Sequence, residues 1–277
     1  MYKLAGALRA FPPVACGILA CALLACGGPA GKPRSYATPQ LEEILGELQS
    51  RQEKVTSFVA ESRMEYWEDD KRVKPTVLVM GERGAKVRFN ALNPDDTVAA
   101  DLACNGADFQ FIDFNQNCQL TGPCTKESIG KLLRVNLEPD DFLLLAIGQA
   151  PLLANPTGTV RWDAKNAQEI LELHTQDRQW KQTIVLDGRE QRWDVVSSTV
   201  WNPEGKIEWK LTNKDFAEAK TEDGTSVRVP AKTRFEQPQA KADLSIRWIE
   251  RSLNTELEPD KFTMQIPDLP RCGGNAP

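Results

Sequence analysis

The sequence has few residues suited to chemistry. It holds one histidine, His174, in strand phase with Ile170 and Glu172 and opposite Leu171 and Leu173, the setting of a half-exposed strand residue. No nucleophile motif, glycine-rich phosphate loop, cofactor fingerprint or metal-ligand spacing occurs. Two carboxylate pairs, Asp95-Asp96 and Asp140-Asp141, stand at turn and helix-start positions where Asp has a structural use. Adjacent residues also point apart, so neither pair suits a shared acid–base site. A basic excess is missing too: 34 Lys and Arg face 39 Asp and Glu, a net charge of −5, which argues against nucleic acid as a partner. These absences argue against an enzyme and call for no cofactor and no metal. At 41% apolar and 26% charged residues, with 18 Gly and 18 Pro, the chain is neither collagen-like nor disordered.

Acids are absent before Glu42, and three of the seven cysteines, Cys16, Cys21 and Cys26, fall in the first 26 residues. Lys3 and Arg9 precede an apolar run, Val14–Ala25. About 12 helical residues span about 18 Å, short of a hydrocarbon core about 30 Å thick, so this run is a signal segment and not a membrane span. Its end, Leu23-Leu24-Ala25-Cys26-Gly27-Gly28, resembles the lipobox of bacterial lipoproteins; Ile18-Leu19-Ala20-Cys21 is a competing match. The resemblance implies cleavage of residues 1–25 and lipidation of Cys26, whose acyl chains hold the protein in a membrane. Gly27, in place of Asp, resembles the pattern of outer-membrane cargo, with the domain facing the periplasm. Cleavage removes two cations and no acid, so the charge of −5 becomes −7 over 252 residues. Residues 26–37 then read as a lipidated Cys and flexible tether, and 38–277 as one domain.

Four further cysteines, Cys104, Cys118, Cys124 and Cys272, are an even number suited to an oxidising compartment. QLTGP between Cys118 and Cys124 reads as a turn-like loop. It favours Cys118–Cys124 with Cys104–Cys272, among three possible pairings.

Thr38-Pro39 predicts a helix start, and Leu41, Ile44, Leu45, Leu48 and Val55 form its apolar stripe. From Phe58 the period becomes two, and about a dozen strands follow, divided by turns such as Asn93-Pro94-Asp95, Asn105-Gly106 and Asp223-Gly224. SIGKLLRV and PDDFLLLAIG, within residues 126–148, interrupt them as two short helices, and Phe262–Ile266 reads as a last strand. The fold class is therefore mainly β (α+β).

Each strand has a bulky apolar phase. Phe58 and Met64 lead it in the early strands, followed by Phe89, Phe109 and Phe111. Trp180, Ile184 and Leu186 share a face, as do Trp193, Val195 and Trp201; Ile207, Trp209 and Leu211; and Leu244, Ile246 and Trp248. Leu144 and Ile147 belong to a helix apolar on every side, which must be enclosed or face a cavity. Phase alone leaves two accounts open: a filled core under a helical cap, or a curved sheet around a ligand cavity lined by these residues.

In order and pattern the chain resembles the lipoprotein localisation factors LolA and LolB and related outer-membrane lipoproteins. The residues that carry the resemblance are Val55-Thr56-Ser57-Phe58-Val59-Ala60, Ile129-Gly130-Lys131-Leu132-Leu133, Phe142–Gly148, Val229-Pro230, Ile246-Arg247-Trp248 and Ile266-Pro267. The resemblance implies an unclosed antiparallel half-barrel, with helices as a lid on its concave face. It also implies non-catalytic binding of acylated or other hydrophobic ligands, in lipoprotein or lipid transport to the outer membrane. A structural or sensing lipoprotein with an envelope protein partner is the alternative. Leu92, the large apolar residue of Asn90–Thr97, is placed in the role of a membrane or transfer loop. No arginine can be assigned the task of holding the lid.

Overall fold

A computed structural model of the chain describes residues 31–273 except 69, 70, 134, 190, 191 and 223. The signal segment 1–25, Cys26 and Asp223 of one expected turn lie outside the described residues. The chain from Lys32 onward forms one unit.

The period-two patterns fold into one open antiparallel sheet. Its strands are β1 (Ser57–Glu68), β2 (Lys71–Val73), β3 (Thr76–Glu82), β4 (Lys86–Leu92), β5 (Val98–Asn105), β6 (Asp108–Asp113) and β7 (Cys118–Pro123). After the helices come β8 (Thr157–Asp163), β9 (Gln168–His174), β10 (Lys181–Asp187), β11 (Asp194–Trp201), β12 (Ile207–Lys220), β13 (Ser226–Gln237) and β14 (Ala242–Leu253). The spatial order is β7-β6-β5-β4-β3-β1-β14-β13-β12-β11-β10-β9-β8, with β2 paired to β1. Among the described residues β7 and β8 do not pair, so the sheet is an unclosed half-barrel, the expected fold class.

Helix α1 (Leu41–Lys54) buries Ile44 and Leu48 and leaves Leu41 and Leu45 half-buried against the core, as its stripe predicts. It starts later than Thr38-Pro39 suggests. The Thr38 hydroxyl accepts from Arg34, and Gln40 opens the helix, its backbone N–H donating to the Glu43 carboxylate. The two short helices are α2 (Lys126–Leu133) and α3 (Asp141–Ala146).

Three expectations change. The disulfides are Cys104–Cys124 and Cys118–Cys272, with Cα separations of 5.8 and 4.9 Å. QLTGP is strand β7 and not a turn; an extended run of that length holds its flanking cysteines about 20 Å apart, beyond the 4.4–6.8 Å or so that a disulfide spans. Phe262–Ile266 is not a strand. Pro259–Phe262 makes one 3-10 turn that buries Phe262 against β4 and β5, and the chain crosses the convex face until Arg271 bridges Gln119 on the edge of β7. Trp201 and Ile207 leave the face assigned to them. Bulges in β11 and β12 shift the phase, so Trp201 pairs with Lys181 and Ile207 on the convex side.

Non-reducing peptide mapping should recover 104–124 and 118–272 linkages only. Replacing Cys118 and Cys272 with Ser should lower stability by ~2–4 kcal/mol and strip exchange protection from the Gln119 amide, which faces Pro270.

Candidate functional site

Cross-strand register assembles the concave face row by row. Val79, Phe89, Leu102, Phe111 and Leu120 stand opposite one another across β3–β7 and form a bulky row. The next row, toward the chain reversals at Pro94 and Asn115, is Ser62, Val77, Ala91, Ala100 and Asp113. Two facing alanines cannot fill the space that paired Phe and Leu side chains fill one row away. A cavity of about 620 Å³ opens there, bordered by Met64, Phe89, Leu92, Leu102 and Phe111, with Asp113 and Lys74 also on its wall. That volume lies within the range of about 300–1,000 Å³ usual for ligand sites.

The rest of the concavity is filled. Residues 126–153 lie across it, with Phe142, Leu143, Leu145, Ala146 and Ile147 buried. Side chains from the sheet fasten this segment through its backbone. Gln182 donates to Pro151 O at 2.7 Å and accepts from Leu153 N, Asn213 donates to Gly148 O at 3.0 Å, and Gln237 brackets Asn136 from both sides. Arg251 donates to Ala146 O and Pro230 O, and its guanidinium stacks 5.0 Å from the Trp248 ring. Burial alone pushes its pKa down to about 10. Among the described residues no carboxylate pairs with it, so carbonyl dipoles and the ring face stabilise its charge. Gly148 has φ +71°, and a Cβ there would stand 2.3 Å from the Pro230 ring.

Sequence reasoning missed all four of these fasteners. The signal was present: Gln182 stands in the greasy phase of Ile184 and Leu186, and Asn213 in that of Leu211. A bulge between Trp248 and Glu250 puts Arg251 in the inward phase with Leu253, which conceals it from a period-two reading.

The residues nominated for the cavity fall in three places. Met64, Phe89 and Phe111 border it, together with Leu92. Phe58, Phe109, Leu144, Ile147, Ile184, Trp193, Trp209, Leu211, Ile246 and Trp248 belong to or pack against the filled core and do not line the cavity. Trp180 stands outside that cluster, half-buried where β9 turns into β10. Phe142 of α3 meets Phe89 at 4.8 Å, edge to face, and marks where filling ends and cavity begins. Leu92 is the last residue of β4, half-buried on the cavity wall; the polar turn Asn93–Thr97 beyond it is closed by Asn93 N donating to Thr97 O.

The paired carboxylates serve turns. Asp95 accepts from Thr97, Asp140 accepts from Ala85 N, and Asp141 accepts from Glu138 N. Among the described residues no group of three or more His, Cys, Asp or Glu could hold a metal ion, and no helix is long and apolar enough to cross a membrane. Burial pushes the Asp141 carboxyl up to about 6 from 3.8. A raised carboxyl pKa penalises the fold fully above pH 6, and the penalty fades as pH falls toward 4. Asp141→Asn should therefore stabilise the protein by ~1–3 kcal/mol at pH 7 and leave it unchanged near pH 4, read by denaturant unfolding at both pH values.

No family model and no curated protein matches the sequence. Solved structures do. A putative outer membrane lipoprotein-sorting protein domain from Vibrio parahaemolyticus superposes with TM-score 0.54 at 14% identity, covering 80% of this chain and 95% of that one. A LolA superfamily protein from Nitrosomonas europaea gives 0.52 at 11% identity, with coverages of 82% and 99%. A DUF1329 family protein from Desulfovibrio piger gives 0.50 at 13%, with coverages of 82% and 98%. At such identities likeness speaks for architecture alone: this chain shares the overall fold of these solved structures.

Proposed function

We propose that this protein is a lipid-anchored lipoprotein of the outer membrane that faces the periplasm and holds an acyl chain or other hydrophobic ligand without catalysis. The anchor is Cys26, and residues 27–37 tether the domain of residues 38–277 after removal of residues 1–25. The observation that carries the binding reading is the alanine-floored cavity beside Met64, Phe89, Leu102 and Phe111. Each methylene moved from water into it contributes ~0.8 kcal/mol, so a chain of about ten repays the cost of ordering a flexible ligand. Asp113, Asn115 and Gln116 on the cavity wall suit the polar end of an amphiphile. The likeness to a lipoprotein-sorting domain and a LolA superfamily protein supports a carrier or acceptor role in lipoprotein or lipid transport.

The cavity gives a direct test. The mature chain, residues 26–277 carrying Cys26→Ser, purified without detergent, should take up a fluorescent fatty acid saturably and yield bound lipid in native mass spectrometry. Ala100→Trp, which fills the cavity floor, should weaken uptake at least about tenfold, or ~1.4 kcal/mol, while the fold stays intact by circular dichroism. If the protein without Ala100→Trp yields no bound lipid and shows no saturable uptake, the carrier reading fails.

A further inference from the structure

The convex face of the sheet carries a second concavity, unconnected with the acyl reading. On β1, β14, β13 and β12 the register places Arg63 opposite Arg247, Arg247 opposite Lys232, and Lys232 opposite Lys214. Four cations thus stand in one unbroken cross-strand row, with neighbouring strands about 4.8 Å apart. Like charges directly opposite each other destabilise a sheet. Lys232 has a carboxylate partner, Asp215 at 2.7 Å. Among the described residues no ion pair relieves Arg63, Arg247 or Lys214.

The row forms the floor of a groove of about 580 Å³. Seven Lys and Arg border it against two carboxylates, Glu65 and Glu236, and both carboxylates are engaged, by Lys74 and Arg234. This charge stands on a chain whose net charge is −5, so it does not follow from composition. Beneath it Ile246 is buried and Thr233 is buried and hydrogen-bonded to Asn213 and Trp248, so the row is presented on a packed sheet.

We propose that this groove binds a phosphate-bearing ligand carrying two or more negative charges, either a free phosphorylated compound or the headgroup of an anionic lipid. A phosphate group offers several strong acceptor oxygens, and guanidinium groups at Arg63 and Arg247 match them bidentately while Lys214 and Lys232 add point charge. A single carboxylate leaves most of the row unneutralised.

The test uses the mature chain, residues 26–277 carrying Cys26→Ser, so that neither the apolar run Val14–Ala25 nor an acyl anchor confounds membrane binding. Titration with inorganic pyrophosphate, followed by calorimetry, reads the free-phosphate source. Flotation with vesicles of cardiolipin, whose headgroup carries two phosphates, and phosphatidylcholine, against phosphatidylcholine alone, reads the headgroup source. Saturable, salt-sensitive binding in either arm is the expected result, and the arm that responds identifies the source. The pair Lys214→Glu and Arg247→Glu should weaken it at least about tenfold, and the milder Lys214→Gln with Arg247→Gln by a smaller factor. Neither pair borders the acyl cavity, so fatty-acid uptake should not change in these variants. No binding in either arm, binding indifferent to both pairs of substitutions, or preference for a DNA oligonucleotide over both probes would overturn the proposal.

Discussion

The structure depends on how an apolar segment is held against a sheet that cannot close. The interior of an open half-barrel is wet unless something fills it, and Phe142 to Ile147 is apolar enough to do so. Apolar contact alone has no direction and would let a six-residue helix slide. Gln182, Asn213, Gln237 and Arg251 supply direction by bonding, from four different strands, to the backbone of this helix at Ala146 and of its flanks at Asn136, Gly148 and Pro151. Each spends a buried polar side chain on a carbonyl or amide that an irregular segment would otherwise leave unpaired. The helical insertion is therefore better described as a fastened filling than as a free lid, and the space left for a ligand lies beyond its edge at Phe142.

An open sheet also leaves two edges, each of which could template pairing with another chain. The C-terminal segment bridges the β7 edge, and the N-terminal segment packs beside β8. At β7 the C-terminal segment adds a short bridge through Arg271 and is fixed by Cys118–Cys272. At β8 the N-terminal segment bonds through Lys32 to Ala164, Arg34 holds buried Glu169 in a bidentate pair, and Tyr36 packs edge-on against Trp162 and Trp193. The second disulfide, Cys104–Cys124, joins β5 to the start of the insertion. Covalent links thus stand where short elements meet, and the long strands β12, β13 and β14 have none.

Much of this was legible in the sequence because period two and helical spacing are local. The strands, the interruption at 126–148, the stripe of α1 and the structural use of Asp95 and Asp140 follow from neighbours in the chain. Three of the misread residues share a cause. Trp201, Ile207 and Arg251 lie beyond bulges, where one extra residue reverses the phase and no local signal marks it. The cysteine pairing failed because QLTGP has turn composition yet takes an extended form set by its partner β6. The cavity itself could not be placed from greasy phases, since most of the greasy residues are covered. Its mark is the opposite: small residues in register, Ala91 against Ala100.

The same register argument links the two faces. In a sheet whose side chains alternate, a row of small inward residues and a row of like-charged outward residues are both set by pairing and not by either strand alone. Arg63 lies between Ser62 and Met64, one outward and two inward, so the strand that closes the alanine-floored cavity also begins the cationic row. Arg63 and Lys74 border both concavities. A slip of β14 by one residue against β1 would turn Arg247 into the core and expose Ile246, at a cost no compensating contact offsets. Burial of Met64 and Ile246, at 1% and 2% exposure, therefore fixes the position of the outward cations as firmly as it fixes the core.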